Sequence, residues 1–256
     1  LGATRLQLVA VQGLPLVRPG DDLASLILDA LAGMGERLAD GDILVIAQKI
    51  VSKAEGRIVD LNKVTPSDRA VELGKAVDKD PRQVEVILSE STEVVKHRPG
   101  VLIVAHRLGY VMANAGVDHS NIASDEGEDN VLLLPLDPDG TCASLRQAFK
   151  ERVQADVGVI INDSFGRAWR VGTTGVALGA AGVPALVDLR GDIDLFGREL
   201  RVSEEAVGDD LASAASLLQG QGDEGLPVVL VRGYGIDAPN TDAKALIRPR
   251  EQDMFR

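Results

Sequence analysis

Asp42-Ile43-Leu44-Val45-Ile46-Ala47 is an apolar run behind the turn signal Asp40-Gly41, and it predicts a short, mostly buried strand. Upstream, Pro19-Gly20-Asp21-Asp22 opens onto Leu23, Leu26, Ile27, Ala30, Leu31 and Met34, the 3.6-residue stripe of an amphipathic helix. Downstream, polar Gln48, Lys49, Ser52 and Lys53 gather at the strand's exit. Thr65 and Asp80, each followed by proline, predict two more helix starts, with Val84, Ile87 and Leu88 as the packing face of the second. Short apolar runs recur at Val101–His106, Val131–Leu136, Val157–Ile161, Ala185–Leu189 and Val228–Val231, and helical patterns interleave them at 141–155 and 203–218. Strands and helices do not alternate regularly, and some neighbouring strands leave no room for a crossover helix. The expected fold is therefore α+β, with mixed, largely antiparallel sheets, packed helices and two lobes in one folding unit.

Composition narrows the function classes. The 256 residues are 45% hydrophobic but only 3% aromatic, with 27 glycines, so the core must be built from Val, Leu, Ile and Ala around many backbone-determined turns. A net charge of -12 and a pI near 4.7 oppose binding to nucleic acid or an anionic membrane. An anionic substrate then needs a local basic site or a metal. The single cysteine, Cys142, excludes an internal disulfide or a cysteine-rich zinc site, and no basic-led apolar leader is evident, which together read as a cytoplasmic protein. No apolar run approaches the roughly 20 residues of a membrane span.

Five segments carry chemistry-bearing residues, each with a plainer reading beside it. Asn114-Ala115-Gly116-Val117-Asp118-His119-Ser120-Asn121 offers hard oxygen ligands, or an Asx-turn at Asp118 and Asn121. In Ile160-Ile161-Asn162-Asp163-Ser164-Phe165-Gly166-Arg167 a strand runs into a carboxylate and a hydroxyl, followed by Arg167 and Arg170; Asp163 or Ser164 is a metal ligand or a helix N-cap. Val51 to Arg57 places Lys53 and Arg57 near a strand exit, to neutralise phosphate or as a solvated turn. The glycines of Arg170 to Gly182 either hold an anion on backbone amides or allow tight packing. Gln219-Gly220-Gln221-Gly222-Asp223-Glu224-Gly225-Leu226 is a polar turn between a helix and a strand, readable as a helix C-cap and loop. Neither a P-loop nor a G-x-G-x-x-G fingerprint is present, and His97, His106 and His119 accompany no nucleophile elbow.

The order and wording of these segments resemble the coenzyme F420-0:γ-glutamyl ligase family along nearly the whole chain. Leu14-Pro15-Leu16-Val17, the segments around Lys53, Asp118 and Asp163, the 219–226 turn and the terminal stretch from Arg248-Pro249 to Phe255-Arg256 carry the likeness. The resemblance implies GTP-dependent amide formation: a carboxylate of F420-0 or F420-1 is activated by the γ-phosphate and attacked by the amino group of L-glutamate. It implies two divalent ions, Mg²⁺ or Mn²⁺, with Asp118 and Asp163 on the first and Ser164 and Gln221 on the second, and a monovalent cation such as K⁺. It places Leu14, Pro15, Leu16, Val17, Gln48, Lys53, Asn121 and residues Gln219 through Leu226 around GTP, with Gln48 where a small hydroxyl residue is expected. Lys53, Asp118, Asp163 and Arg167 are the expected catalytic set, Arg167 and Arg170 pairing with substrate phosphodiester or carboxylates.

The resemblance also implies a homodimer, and a ligase domain over 1–256 without the nitroreductase-like domain fused in some members. Two other readings stay open at this level. One is a GTP-using ligase or phosphotransferase with a different acid acceptor. The other is a non-catalytic nucleotide-binding module, against which the presence of both Asp118 and Asp163 argues.

Overall fold

The computed structural model describes residues 5–120, 129–235 and 238–255. Its regular elements run β1 (Gln7–Ala10), α1 (Leu23–Gly33), β2 (Ile43–Ala47), α2 (Gln48–Ala54), β3 (Ile58–Asp60), α3 (Asp68–Val77), α4 (Pro81–Ser89), β4 (Ser91–Arg98), β5 (Val101–His106), β6 (Val111–Ala113) and β7 (Asn130–Leu132). There follow α5 (Pro138–Val153), β8 (Gly158–Arg167), β9 (Arg170–Ala181), β10 (Val187–Asp188), β11 (Glu204–Glu205), α6 (Val207–Gln219) and β12 (Val228–Arg232). The fold is α+β, as the sequence predicts. The main sheet has the order β1-β12-β2-β8-β9, and every pairing in it is antiparallel except β2 with β8.

Alternation along the central strands divides the core. Leu44 and Ile46 of β2 join Leu230, Val159 and Ile161 on the face covered by α1, α2 and α5, where Ile27, Leu31, Val51 and Phe149 are buried. Ile43 and Val45 point the other way, with Ile160, Val229 and Val231, onto Leu211, Ala212 and Ala215 of α6. Both faces are thus buried, which is why the strand at 42–47 reads as continuously apolar rather than alternating. A second, smaller lobe packs the β4-β5-β6 meander against α3 and α4 around Val77, Ile87, Leu102 and Val104, and the β3-β7 pair adds Val131 to the same core.

Local signals are mostly met. Asp22 caps α1 by accepting from the Ser25 N–H, and Asp80 caps α4 ahead of Pro81. The start of α3 is displaced from Thr65 to Ser67, whose hydroxyl accepts from the Ala70 N–H and is itself held by Glu85. The run at 131–136 is a strand only to Leu132; the Leu133 N–H still donates to the Arg57 carbonyl, in register with the β3 pairing, and regular structure stops there. Gly172, Gly175 and Gly179 lie in β9, and at Gly175 and Gly179 the packing reading replaces the anion loop. A Cβ on Gly175 would stand 2.2 Å from the Ala212 carbonyl oxygen of α6, and one on Gly179 2.4 Å from the backbone of Pro138 at the start of α5. A bulge between the Ile161–Gly179 and Asn162–Ala177 pairs lets one strand receive helices on both faces this way.

Between the lobes, Glu90 at the end of α4 is nearly buried and receives three partners. Arg57 Nη2 lies 2.8 Å from its Oε2, Arg107 Nε 3.1 Å and His106 Nε2 3.4 Å. Burial would raise this carboxyl, but His106, Arg57 and Arg107 outweigh it and hold it down to about 2. A depressed carboxyl stabilises the fold above its unfolded value, so the contribution shrinks as pH falls from about 4.5 towards 2. Glu90→Gln is expected to cost about 2–3 kcal/mol at pH 7 in urea titrations, with the gap from wild type closing below about pH 4.

Candidate active site

The parallel pairing of β2 with β8 sets Ala47 opposite Asn162, and at this carboxyl end of the pair the chain leaves the sheet in three directions. α2 starts at Gln48 directly from β2, β8 continues into its hairpin with β9, and the 219–227 connection from α6 enters β12 alongside. The strand ends enclose a cavity of about 840 Å³. Its wall includes Leu14 to Val17, Gln48, Lys53, Asp118, Asp163, Ser164 and most of the 219–226 turn. Segments scattered through the sequence thus meet in one place.

Asp118 reaches the cavity through a strained turn. Asn114, Ala115 and Gly116 carry φ angles of 53°, 52° and 70°, a left-handed run that reverses the chain between β6 and the bridge from Asp118 to Leu132. A Cβ on Gly116 would lie 2.6 Å from Leu134, so glycine is required on both counts. The Asp118 carboxylate is locally bonded, as the Asx reading has it: Oδ1 accepts from the Ser120 N–H at 2.9 Å and Oδ2 from the Ser120 hydroxyl at 2.6 Å. It also makes a longer-range pair, with Lys49 Nζ 2.7 Å from Oδ2. Burial acts to raise this group, and Lys49 and Ser120 more than offset it, leaving it below the usual carboxylate range.

Asp163 differs. It sits in β8, not at a helix start, so the N-cap alternative is gone. Burial pushes its carboxyl up to about 6; the Ser164 N–H and Lys49 pull the other way, and the Asp118 charge adds to the rise. A carboxylate so poorly compensated is a position that a cation would satisfy. The adjacent Ser164 hydroxyl accepts from Gln221 Nε2 at 2.8 Å, bringing together the pair expected at a second ion. The donors are therefore carboxylate, hydroxyl and amide oxygens, the set that suits Mg²⁺ or Mn²⁺ rather than zinc. Among the described residues no group of three or more His, Cys, Asp or Glu stands at metal-binding spacing, so water and phosphate would supply the remaining positions.

Asn162 and Gln219 exchange amide hydrogen bonds, Asn162 Nδ2 to Gln219 Oε1 at 2.8 Å and Gln219 Nε2 to Asn162 Oδ1 at 3.1 Å. This ties β8 to the end of α6 beneath the cavity. Gln48 is buried and accepts from the Ser52 hydroxyl at 2.8 Å, so its side chain is committed within α2. The Lys53 ammonium is lowered by burial and by the neighbouring charge of Lys49, and no described residue is seen hydrogen-bonded or ion-paired to it. The 219–226 turn begins as a helix C-cap at Gly220, and Glu224 folds back to accept from the Gly222 N–H at 2.8 Å.

Not every expected residue converges. Arg167 and Arg170 face each other across the tip of the β8–β9 hairpin, exposed and outside the cavity wall, so the structure does not bring Arg167 beside Asp163. Glu224 is likewise absent from the wall. Asn121 and Arg256 lie outside the described residues. Lys49 and Asn162, named from sequence only as members of their segments and given no role, both line the cavity. No helix among the described residues is long and apolar enough to cross a membrane.

Residues 13–233 match the family model described as F420-0:Gamma-glutamyl ligase. The coenzyme F420:L-glutamate ligase of Methanothermobacter thermautotrophicus is 46% identical over 253 residues, covering 98% of this chain and 99% of that protein. The protein of the same description from Methanopyrus kandleri is also 46% identical, with 98% and 99% covered. That from Archaeoglobus fulgidus is 42% identical, with 98% and 97% covered.

Proposed function

The chain belongs to the F420-0:gamma-glutamyl ligase family, and from that premise we propose that it joins L-glutamate to coenzyme F420-0 or F420-1 through an amide bond in a reaction driven by GTP. The observation that carries this reading is the single cavity in which Asp118, Asp163, Ser164, Gln221 and Lys53 meet the Leu14–Val17 segment and the 219–226 turn. Asp118 and Asp163 would hold a first Mg²⁺ or Mn²⁺, Ser164 and Gln221 a second. Such ions supply charge neutralisation and polarisation of the transferring phosphoryl group.

In the proposed sequence the acceptor carboxylate attacks the γ-phosphorus, GDP leaves, and the resulting acyl phosphate is opened by the glutamate amine with loss of phosphate. Lys53 contributes a point charge from α2 towards the phosphate oxygens, a role supported by its depressed ammonium and by the absence of a carboxylate beside it among the described residues. The Asn162–Gln219 pair fixes the floor against which the nucleotide loop rests. Leu14 and Val17 pack into the core beside α1, which supports an ordered apolar wall for the nucleotide.

The test is incubation with F420-0, GTP, L-glutamate and Mg²⁺ or Mn²⁺, read by mass spectrometry. The expected product is the precursor heavier by one glutamyl residue, with one GDP formed per amide. GTP turnover with a different acid, and no mass gain on F420-0, would instead identify another acceptor. Lys53→Ala is expected to raise the KM for GTP by about tenfold or more through loss of a charged hydrogen bond.

A further inference from the structure

We propose that Lys49 is a built-in counter-ion that holds the first metal position in the nucleotide-free enzyme and competes with the divalent ion for Asp118. The inference rests on the reading of Asp118 and Asp163 as metal ligands. Lys49 Nζ stands 2.7 Å from Asp118 Oδ2 and donates to the Ser120 hydroxyl at 2.5 Å, while that hydroxyl donates to the same Oδ2 at 2.6 Å. Asp118 Oδ2 thus has two donors and Oδ1 has the Ser120 N–H. A divalent ion needs a lone pair on one of these oxygens, and at ligand distance from Oδ2 it would lie within a few ångströms of a like-charged ammonium, where repulsion is severe. Ion and lysine exclude each other.

The same ammonium also acts on the other members of the site, opposing the rise that burial imposes on Asp163 and adding to the lowering that burial imposes on Lys53. It lines the cavity together with both carboxylates. An ordinary surface ion pair adds little to stability and has no third partner. Here the pair is half-buried, with side-chain exposures of 28% and 38%, and has the Ser120 hydroxyl as a third partner. The Lys49 backbone is fixed in the first turn of α2, directly continuous with β2, so displacement requires only the flexible four-carbon stem to turn.

Displacement has a second effect. Once the ion takes Asp118, the Lys49 ammonium is left in the cavity without its carboxylate, free to meet an anionic oxygen of the nucleotide. Metal and nucleotide binding are then coupled through one side chain, each favouring the other, as linkage requires.

Calorimetric titration of metal-free enzyme with Mn²⁺ alone, without nucleotide, tests this directly. Lys49→Met should bind Mn²⁺ about tenfold more tightly than wild type, because a competing charge is gone, while Lys49→Arg stays within about twofold of wild type. The coupling should weaken as well: GTP should tighten Mn²⁺ binding less in Lys49→Met than in wild type. Thermal unfolding without metal checks that the variant folds, and Mn²⁺ should raise its Tm more than that of wild type. Mn²⁺ affinity in Lys49→Met that is less than threefold tighter than wild type overturns the proposal. If wild-type Mn²⁺ binding is indifferent to both Asp118→Asn and Asp163→Asn, the metal-site reading fails and the role of Lys49 falls with it. If those variants lose Mn²⁺ and Lys49→Met is unchanged, only the counter-ion role fails.

Discussion

Asp163→Asn is expected to lower glutamate-dependent GTP turnover by about a thousandfold, the equivalent of about 4 kcal/mol of lost transition-state stabilisation. The amide keeps the shape of the side chain but removes the negative charge from the less compensated of the two proposed ligands. In the absence of metal the same change should make the fold more stable. Burial raises the Asp163 carboxyl to about 6, so its neutral form is favoured on folding; that contribution is complete below the unfolded value of 3.8 and is lost as pH rises through 6. At pH 7.5 the ionised wild-type group is a burden of about 2 kcal/mol, and Asn removes it, raising Tm by about 4–8 °C. Activity and stability of this variant should therefore move in opposite senses, leaving it inactive but more heat-resistant. Near-normal turnover would exclude the proposed centre, and a fall in Tm at pH 7.5 without metal would mean that the ionised carboxylate is not a burden to the fold. Asp118→Asn should lose activity to a similar degree without the thermal gain, because its charge is already paired with Lys49.

Gly175→Ala is expected to do the greatest damage to the framework. An added Cβ at this position would meet the Ala212 carbonyl oxygen at 2.2 Å and the Ala212 carbonyl carbon at 2.5 Å, both backbone atoms that cannot rotate aside. The Ser213 hydroxyl also donates to the Gly175 carbonyl at 2.9 Å, so strand and helix are joined where the methyl would intrude. Relief requires α6 to lift from β9, at a cost of about 3 kcal/mol and a fall in Tm of about 6–12 °C. Activity should suffer beyond the stability loss. Gly175 pairs with Ser164 across the ladder, and α6 ends in Gln219, the partner of Asn162, so a displacement of about 1 Å would misplace Gln221 against Ser164 and could lower kcat about a hundredfold. An unchanged Tm with unchanged kcat would mean that the helix is not held as close as the contact distances imply.

Legibility from sequence followed burial. The strand at 43–47 and the helix at 23–33 are periodic and fully committed to the core, and both were readable. β4 was not, because bulges between Ser91 and Glu93 and between Val94 and Lys96 break the alternation that would mark it. α2 was not, because it springs from β2 with no side-chain cap at Ala47. The polar stretch from Asn162 to Arg167 reads as a strand's end or a helix start because β8 leaves the core there and becomes cavity wall and hairpin, where apolar residues are no longer needed. The site residues were named through the family's order, since no local pattern sets Asp118 beside Asp163. Lys49 stayed hidden for the same reason: its meaning depends on a partner loop that the chain reaches only after the whole second lobe.

β12, near the C-terminal end, lies between β1 and β2 in the sheet and is the strand that joins them. During synthesis, β2 and β8 can pair only after Gly158 has emerged, and β1 has no ladder partner until residues 228–232 follow. A nascent chain must therefore carry an open, apolar strand edge until residues 228–232 have emerged, and the cavity closes only when β12 slots in. Such late, long-range pairing gives slow folding and a window for aggregation, so yield from rapid overexpression should improve when elongation is slowed or a strand-shielding chaperone is supplied.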